Sequence, residues 1–212
     1  MAPSSVVFPR RKPAQERSRA TVDAIVEAAA RVFEAQGYAH TTTNHIALRA
    51  GVSIGSLYQY FPNKDAILVA LLERHADDGA RLIAELAARA EVEDWSLRAV
   101  LEHFVEAIVE YHLAAPRLQH VLLNEAPRPP AVVALRHQLE DRIAELVSGL
   151  IDLKLGGEAP RPDIVAWLIV HAVEGLAHEF VVHPPRETSR DALVREVVTL
   201  IEGYLTRRGE TN

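Results

Sequence analysis

Ten histidines in 212 residues raise metal chemistry first. Trp167, His171, Glu174 and His178 are spaced four, three and four residues apart, which lines them along one stripe of a helix because residues three and four apart share a face. One stripe offers two or three ligands. The metalloprotease pattern needs two His four apart around a Glu, whereas His178-Glu179 is followed by His183 five residues on. That places the two rings about 140° apart around the helix, so they cannot share a metal. The Glu-x-x-His pairs of di-iron bundles are missing too, since His171-x-x-Glu174 runs in the reverse order. His103, Glu106 and Glu110 have the spacing of an acid–base group, and equally that of a solvated helix face. No nucleophile elbow or phosphate-cradling Gly loop accompanies them. With no cysteine in the chain, thiolate nucleophiles, disulfides and Cys-ligated zinc are excluded. We therefore expect no catalytic residue, metal or cofactor; a helical-bundle metal protein or enzyme is the alternative reading.

A different chemistry lies near the N-terminus. Gly55, Ser56, Tyr58, Gln59 and Tyr60 follow one another in a short segment with a bare backbone and hydrogen-bonding side chains, groups suited to base edges and phosphates. The net charge of −6 argues against a polyanionic partner only if it is read as one number. Residues 1–64 hold eight Lys and Arg against four Asp and Glu, while residues 65–212 hold 15 against 25. The basic excess is confined to the N-terminal end, as in proteins with a nucleic-acid-binding head.

Those side chains need rigid elements to present them. Residues 1–17, rich in Pro, Ser and basic residues, read as a flexible basic arm; Arg10, Arg11, Lys12 and Arg17 in it, with Arg19 just beyond, can reach a minor groove or simply solubilise the chain. Val22, Ile25, Val26, Ala29, Val32 and Phe33 predict a helix over 19–36 with Gly37 as its stop. The Thr41–Thr43 cluster, Gly51, Ser53 and Phe61-Pro62 bracket two short helices, and Asn63 caps a long helix from Lys64. Ala47 is small where the short helices cross, Gly51 can take the left-handed turn conformation, and Ile46, Val52 and Leu57 form a shared core, which is the helix-turn-helix plan. Helical periodicity continues to the end of the chain without strand alternation. It predicts an all-α protein of about nine helices: a three-helix head over 18–64 and a helical bundle over 65–212. No apolar leader precedes the head and no run of about eighteen uninterrupted apolar residues occurs, so a cytoplasmic protein with no membrane partner is expected.

The stretch TTTNHIALRAGVSIGSLYQYFPNKDAIL, preceded by ATVDAIVEAAARVFEAQGYAHTT, resembles the DNA-binding domain of tetracycline-repressor (TetR) family regulators over residues 16–70; residues 71–212 match only in helical layout. The resemblance implies a homodimer on a palindromic operator in double-stranded DNA, a small-molecule effector inside the C-terminal bundle, and release of DNA when it binds. It also implies Thr43, Lys64 and Tyr60 as phosphate anchors, Asn44, Ile54, Gly55, Tyr58 and Gln59 as base-facing residues, and Ser56 in either role. Tyr58 and Tyr60 point about 200° apart on a helix, so at most one faces the core.

Two features of the bundle fit that implication. Ile164, Val165, Leu168, Ile169, Ala172, Gly175 and Leu176 make the 163–183 helix apolar around most of its circumference, which demands cover on several sides; pairing of the last two helices with their twins supplies it. Apolar faces interleaved with His103, Tyr111, His112, Asn124, Trp167, His171 and Glu174 have the mixture of a ligand pocket. Without an Arg pair to hold an anion, a neutral or cationic, largely apolar effector is expected.

Overall fold

The computed structural model describes residues 16–127, 130–155 and 161–209. Most of the predicted arm and the predicted Gly156-Gly157 stop lie outside these residues. Among the described residues there are nine α-helices and no strand: α1 Glu16–His40, α2 Thr43–Ala50, α3 Ile54–Tyr60, α4 Lys64–Val92, α5 Leu97–Ala114, α6 Pro116–His120, α7 Pro130–Leu155, α8 Pro162–Val182 and α9 Arg190–Gly209. A π-helical turn, Val121–Glu125, follows α6. Its wider ring is closed by the Ala126 N–H donating to the Val121 carbonyl five residues back, at 2.8 Å. The all-α expectation holds. Gly37, expected to stop the first helix, does break its geometry with φ 75° and ψ 171°, yet helical bonding continues to His40.

The chain forms two compact units. The first comprises the described residues up to Ala76 together with Arg117–Leu135. Ile25, Ala29 and Phe33 of α1, Ile46 of α2, Leu57 of α3, Phe61 and Ile67 are all buried in one cluster, and Val121, Leu122 and Ala126 join it. Caps fix where α2, α3 and α4 begin, as the sequence predicts. The Thr42 hydroxyl accepts the His45 N–H, the Ser53 hydroxyl accepts the Ser56 N–H, and Asn63 Oδ1 accepts the Ala66 N–H, at 3.2, 3.0 and 2.8 Å.

The second unit comprises Asp77–Pro116 and the described residues from Arg136 on. Leu101, Phe104, Val105 and Ile108 of α5 pack with Ile143 and Val147 of α7, Val165, Ile169 and Val173 of α8, and Val198 and Ile201 of α9. α8 is the one described helix long and apolar enough by composition to cross a bilayer. One face of it is bundle core; Ile164, Trp167, Leu168 and Leu176 on the other are 39–48% exposed.

Candidate functional site

The turn between α2 and α3 is the hinge of the site. Gly51 sits at φ 69°, ψ 26°, in the left-handed region, and its N–H closes α2 onto the Ala47 and Leu48 carbonyls. The chain can therefore reverse within three residues. Ile46, Ala47 and Leu57 are buried where α2 and α3 meet, so the opposite faces are left to solvent.

Those faces carry the predicted residues. Asn44, Ile54, Gly55, Tyr58 and Gln59 are exposed, and Thr43 and Ser56 are half-buried. Thr43 Oγ1 and the Tyr58 hydroxyl hydrogen-bond at 3.1 Å, joining the first residue of α2 to the middle of α3. Ser56 Oγ lies 2.8 Å from Ser53 Oγ. The two tyrosines divide as geometry requires: Tyr58 is 45% exposed, while Tyr60 packs partly against the buried cluster. The result is a polar, thinly covered surface of fixed shape.

Lys64 is more constrained than its position suggests. Its ammonium donates to the Tyr38 carbonyl at 2.6 Å and lies 3.9 Å from the centre of the Tyr38 ring. Burial lowers its pKa, partly offset by Asp65. The Tyr38 hydroxyl in turn donates to Asp65 Oδ1. Burial, then that hydrogen bond and the Asp65 charge, push the phenol well above its ordinary value. An ammonium has three donors, so a phosphate can still be engaged. Sequence reasoning missed Tyr38 because its partners lie 26 and 27 residues away. It missed Gln36 likewise, whose Nε2 donates to His45 Nδ1 at 2.8 Å.

In the second unit the predicted pocket residues separate. Buried His112 donates from Nε2 to Glu174 Oε2 at 2.8 Å, and its ring meets Tyr111 and His178 edge-on. Its Nδ1 is buried without a hydrogen-bond partner among the described residues. These form one polar cluster in an apolar bundle. The Trp167 and His171 rings lie tilted at 31° with centroids 4.2 Å apart, and His171 faces Glu140 at 3.5 Å. His103 stacks on Trp95 and donates to the Ala99 carbonyl. Asn124 lies in the first unit, bonded to His120. The helical stripe seen in the sequence is thus divided among several environments. Among the described residues, no three His, Asp or Glu converge as a metal-ligand set. A surface groove lined by Asp77, Ala80, Arg81, Arg142 and Glu145 contains none of the predicted residues, and its arginines are paired to Asp78 and Asp77.

The family signature described as "Bacterial regulatory proteins, tetR family" matches residues 25–71, and that described as "Tetracyclin repressor-like, C-terminal domain" matches residues 96–205. The HTH-type transcriptional activator FasR of Mycolicibacterium smegmatis is 28% identical over 179 residues, covering 84% of this chain and 80% of FasR. The HTH-type transcriptional regulator HbdR of Aromatoleum is 27% identical over 201 residues, covering 88% and 82%. Among solved structures, a TetR-family regulator from Mesorhizobium loti superposes with a TM-score of 0.76 at 18% identity, over 91% of this chain and 98% of that one. FadR of Bacillus subtilis, in complex with stearoyl-CoA, gives 0.69 at 19% identity, over 84% and 96%. The chain belongs to the tetracycline-repressor (TetR) family of DNA-binding helix-turn-helix transcriptional regulators, and is a regulator rather than an enzyme.

Proposed function

We propose that this regulator is a cytoplasmic homodimeric repressor that holds a palindromic operator and leaves it when a small, largely apolar molecule enters the C-terminal bundle. The observation that carries the reading is the exposed face of α2 and α3. Asn44, Ile54, Gly55, Tyr58 and Gln59 stand at its surface, with Thr43 and Lys64 at helix starts where backbone N–H groups favour phosphate. Ile54 and Gly55 offer no side-chain hydrogen bond, so thymine-methyl contact or DNA shape must supply specificity there.

The dimer is assigned to α8 and α9. Ile164, Trp167, Leu168 and Leu176, with Leu200 at 64%, are exposed on them, and an apolar face of this extent favours cover by a partner. A two-fold pair of heads matches a two-fold operator. The effector is assigned to the apolar interior around His112, Tyr111 and Glu174; a carboxylate there disfavours anions and suits a neutral or cationic compound. Stearoyl-CoA, which FadR holds, is the competing effector class.

Titration calorimetry of candidate effectors with and without operator tests the switch. The account predicts weaker effector binding by about 5 to 150-fold when DNA is bound, because coupling is reciprocal. Equal affinities would show that the compound is not the switch. FasR is an activator, which favours activation as a second reading. In vitro transcription from the bound promoter separates the two by the sign of the change.

A further inference from the structure

In the first unit, a residue with no assigned role joins positions far apart in sequence. Glu125 ends the π-helical turn, and its Oε2 accepts the Tyr38 backbone N–H at 3.1 Å, across 87 residues of sequence. It also covers Gly37, where a Cβ would come within 2.6 Å of the same oxygen. Gly37 is at φ 75° and ψ 171°, a backbone conformation open essentially to glycine alone. Neighbouring contacts anchor the segment. Arg117 donates to the Glu34 carbonyl at 2.5 Å, and nearly fully buried Gln119 donates to His75 at 2.9 Å. Val121, Leu122 and Ala126 are buried in the cluster beneath α2 and α3.

The Gly37-Tyr38 segment is held from every side. The Tyr38 N–H goes to Glu125; the Tyr38 carbonyl accepts from Lys64 and from the Thr41 N–H; the Gly37 carbonyl accepts from the buried Thr41 hydroxyl at 2.7 Å. Four residues after Tyr38, Thr42 caps α2, whose first residue bonds Tyr58 on α3. We propose that Glu125 is a positioning residue for DNA binding: its carboxylate fixes the turn that aims α2 and α3, so the segment Pro116–Glu125 sets the affinity of the head. The inference rests on α2 and α3 being the DNA-binding surface.

The sign of the effect separates this role from simple electrostatics. Glu125 is an anion, so removing its charge should by itself strengthen binding to a polyanion. Loss of the hydrogen bond should weaken it. Glu125→Gln removes the charge and keeps an acceptor; Glu125→Asp keeps the charge and falls one methylene short; Glu125→Ala removes both. Affinities of the full-length variants for a duplex selected from a randomised pool, with salt slopes and exchange of the Tyr38 amide, are the readouts. We expect Asp to lose about tenfold in affinity, the size of one charge-assisted hydrogen bond, and Ala to lose less, because its lost charge offsets part of that. Their Tyr38 amides should exchange faster and their salt slopes should stay unchanged. Gln should bind at least as tightly as the parent. Should Ala not fold, the Asp and Gln pair still gives the comparison. Asp binding as tightly as the parent, or Tyr38 exchanging equally in all variants, overturns the proposal while leaving the DNA-binding surface intact. A parent protein without sequence preference overturns both.

Discussion

At the residue scale, the reading surface was legible because its chemistry is local. Two positions apart on a helix, Tyr58 and Tyr60 point about 200° from one another, and the structure leaves Tyr58 outward and Tyr60 partly packed. Replacing Gln59 or Tyr58 by Ala should cost about 1 to 3 kcal/mol and relax base preference, as a binding series over single-base operator variants would record. Lys64 is less simple, since it braces Tyr38 as well as standing at a helix start. The salt dependence of Lys64→Ala separates the roles: a phosphate contact predicts a slope flatter by about one unit, whereas bracing alone lowers affinity at unchanged slope. Tyr38 makes a pH prediction. Its raised phenol pKa means the folded head binds that proton more tightly than the unfolded chain. The stabilisation is complete below about pH 10, the unfolded value, and is lost as pH rises through the folded one. Lys64, lowered by burial, contributes with the opposite sign, but Tyr38→Phe keeps a ring beneath it. Melts above pH 10 should therefore fall less steeply in the Phe variant than in the parent.

At the element scale, caps and turn glycine were readable and long-range braces were not. Thr42, Ser53, Asn63 and Gly51 each act on groups within four residues, so composition reveals them. Glu125, Arg117 and Gln119 act over 44 to 87 residues, and nothing in their spacing announces a partner. The stripe Trp167, His171, Glu174 and His178 was correctly periodic, but periodicity says which side chains share a face and not which neighbours they meet. The two left-handed glycines give a paired prediction. Gly51 faces open space, so Gly51→Ala should cost only the left-handed backbone penalty, about 1 to 2 kcal/mol. Gly37→Ala meets a steeper backbone penalty, because φ 75° with ψ 171° is open essentially to glycine alone, and should cost more. Denaturant midpoints of the two variants should fall in that order; equal midpoints would mean that the Gly37 turn relaxes around the added side chain.

At the scale of the whole molecule, the charge split between head and bundle and the all-round apolarity of α8 were visible in sequence, and the first points to DNA while the second points to a partner. Ala172 and Gly175 lie exposed on α8 of a single chain, and Gly175 has open space around it. An Arg at either position is harmless to a monomer. In a dimer closed through α8 it buries an unpaired charge, at about 3 to 5 kcal/mol, and light scattering should report dissociation to monomers. The most direct measurement for the account as a whole is selection of bound duplexes from a randomised pool by the purified protein. The account predicts enrichment of an inverted repeat whose half-sites are one helical turn or a multiple of it apart, about 34–36 Å each. A pool that stays random, or an enriched site without two-fold symmetry, would contradict it.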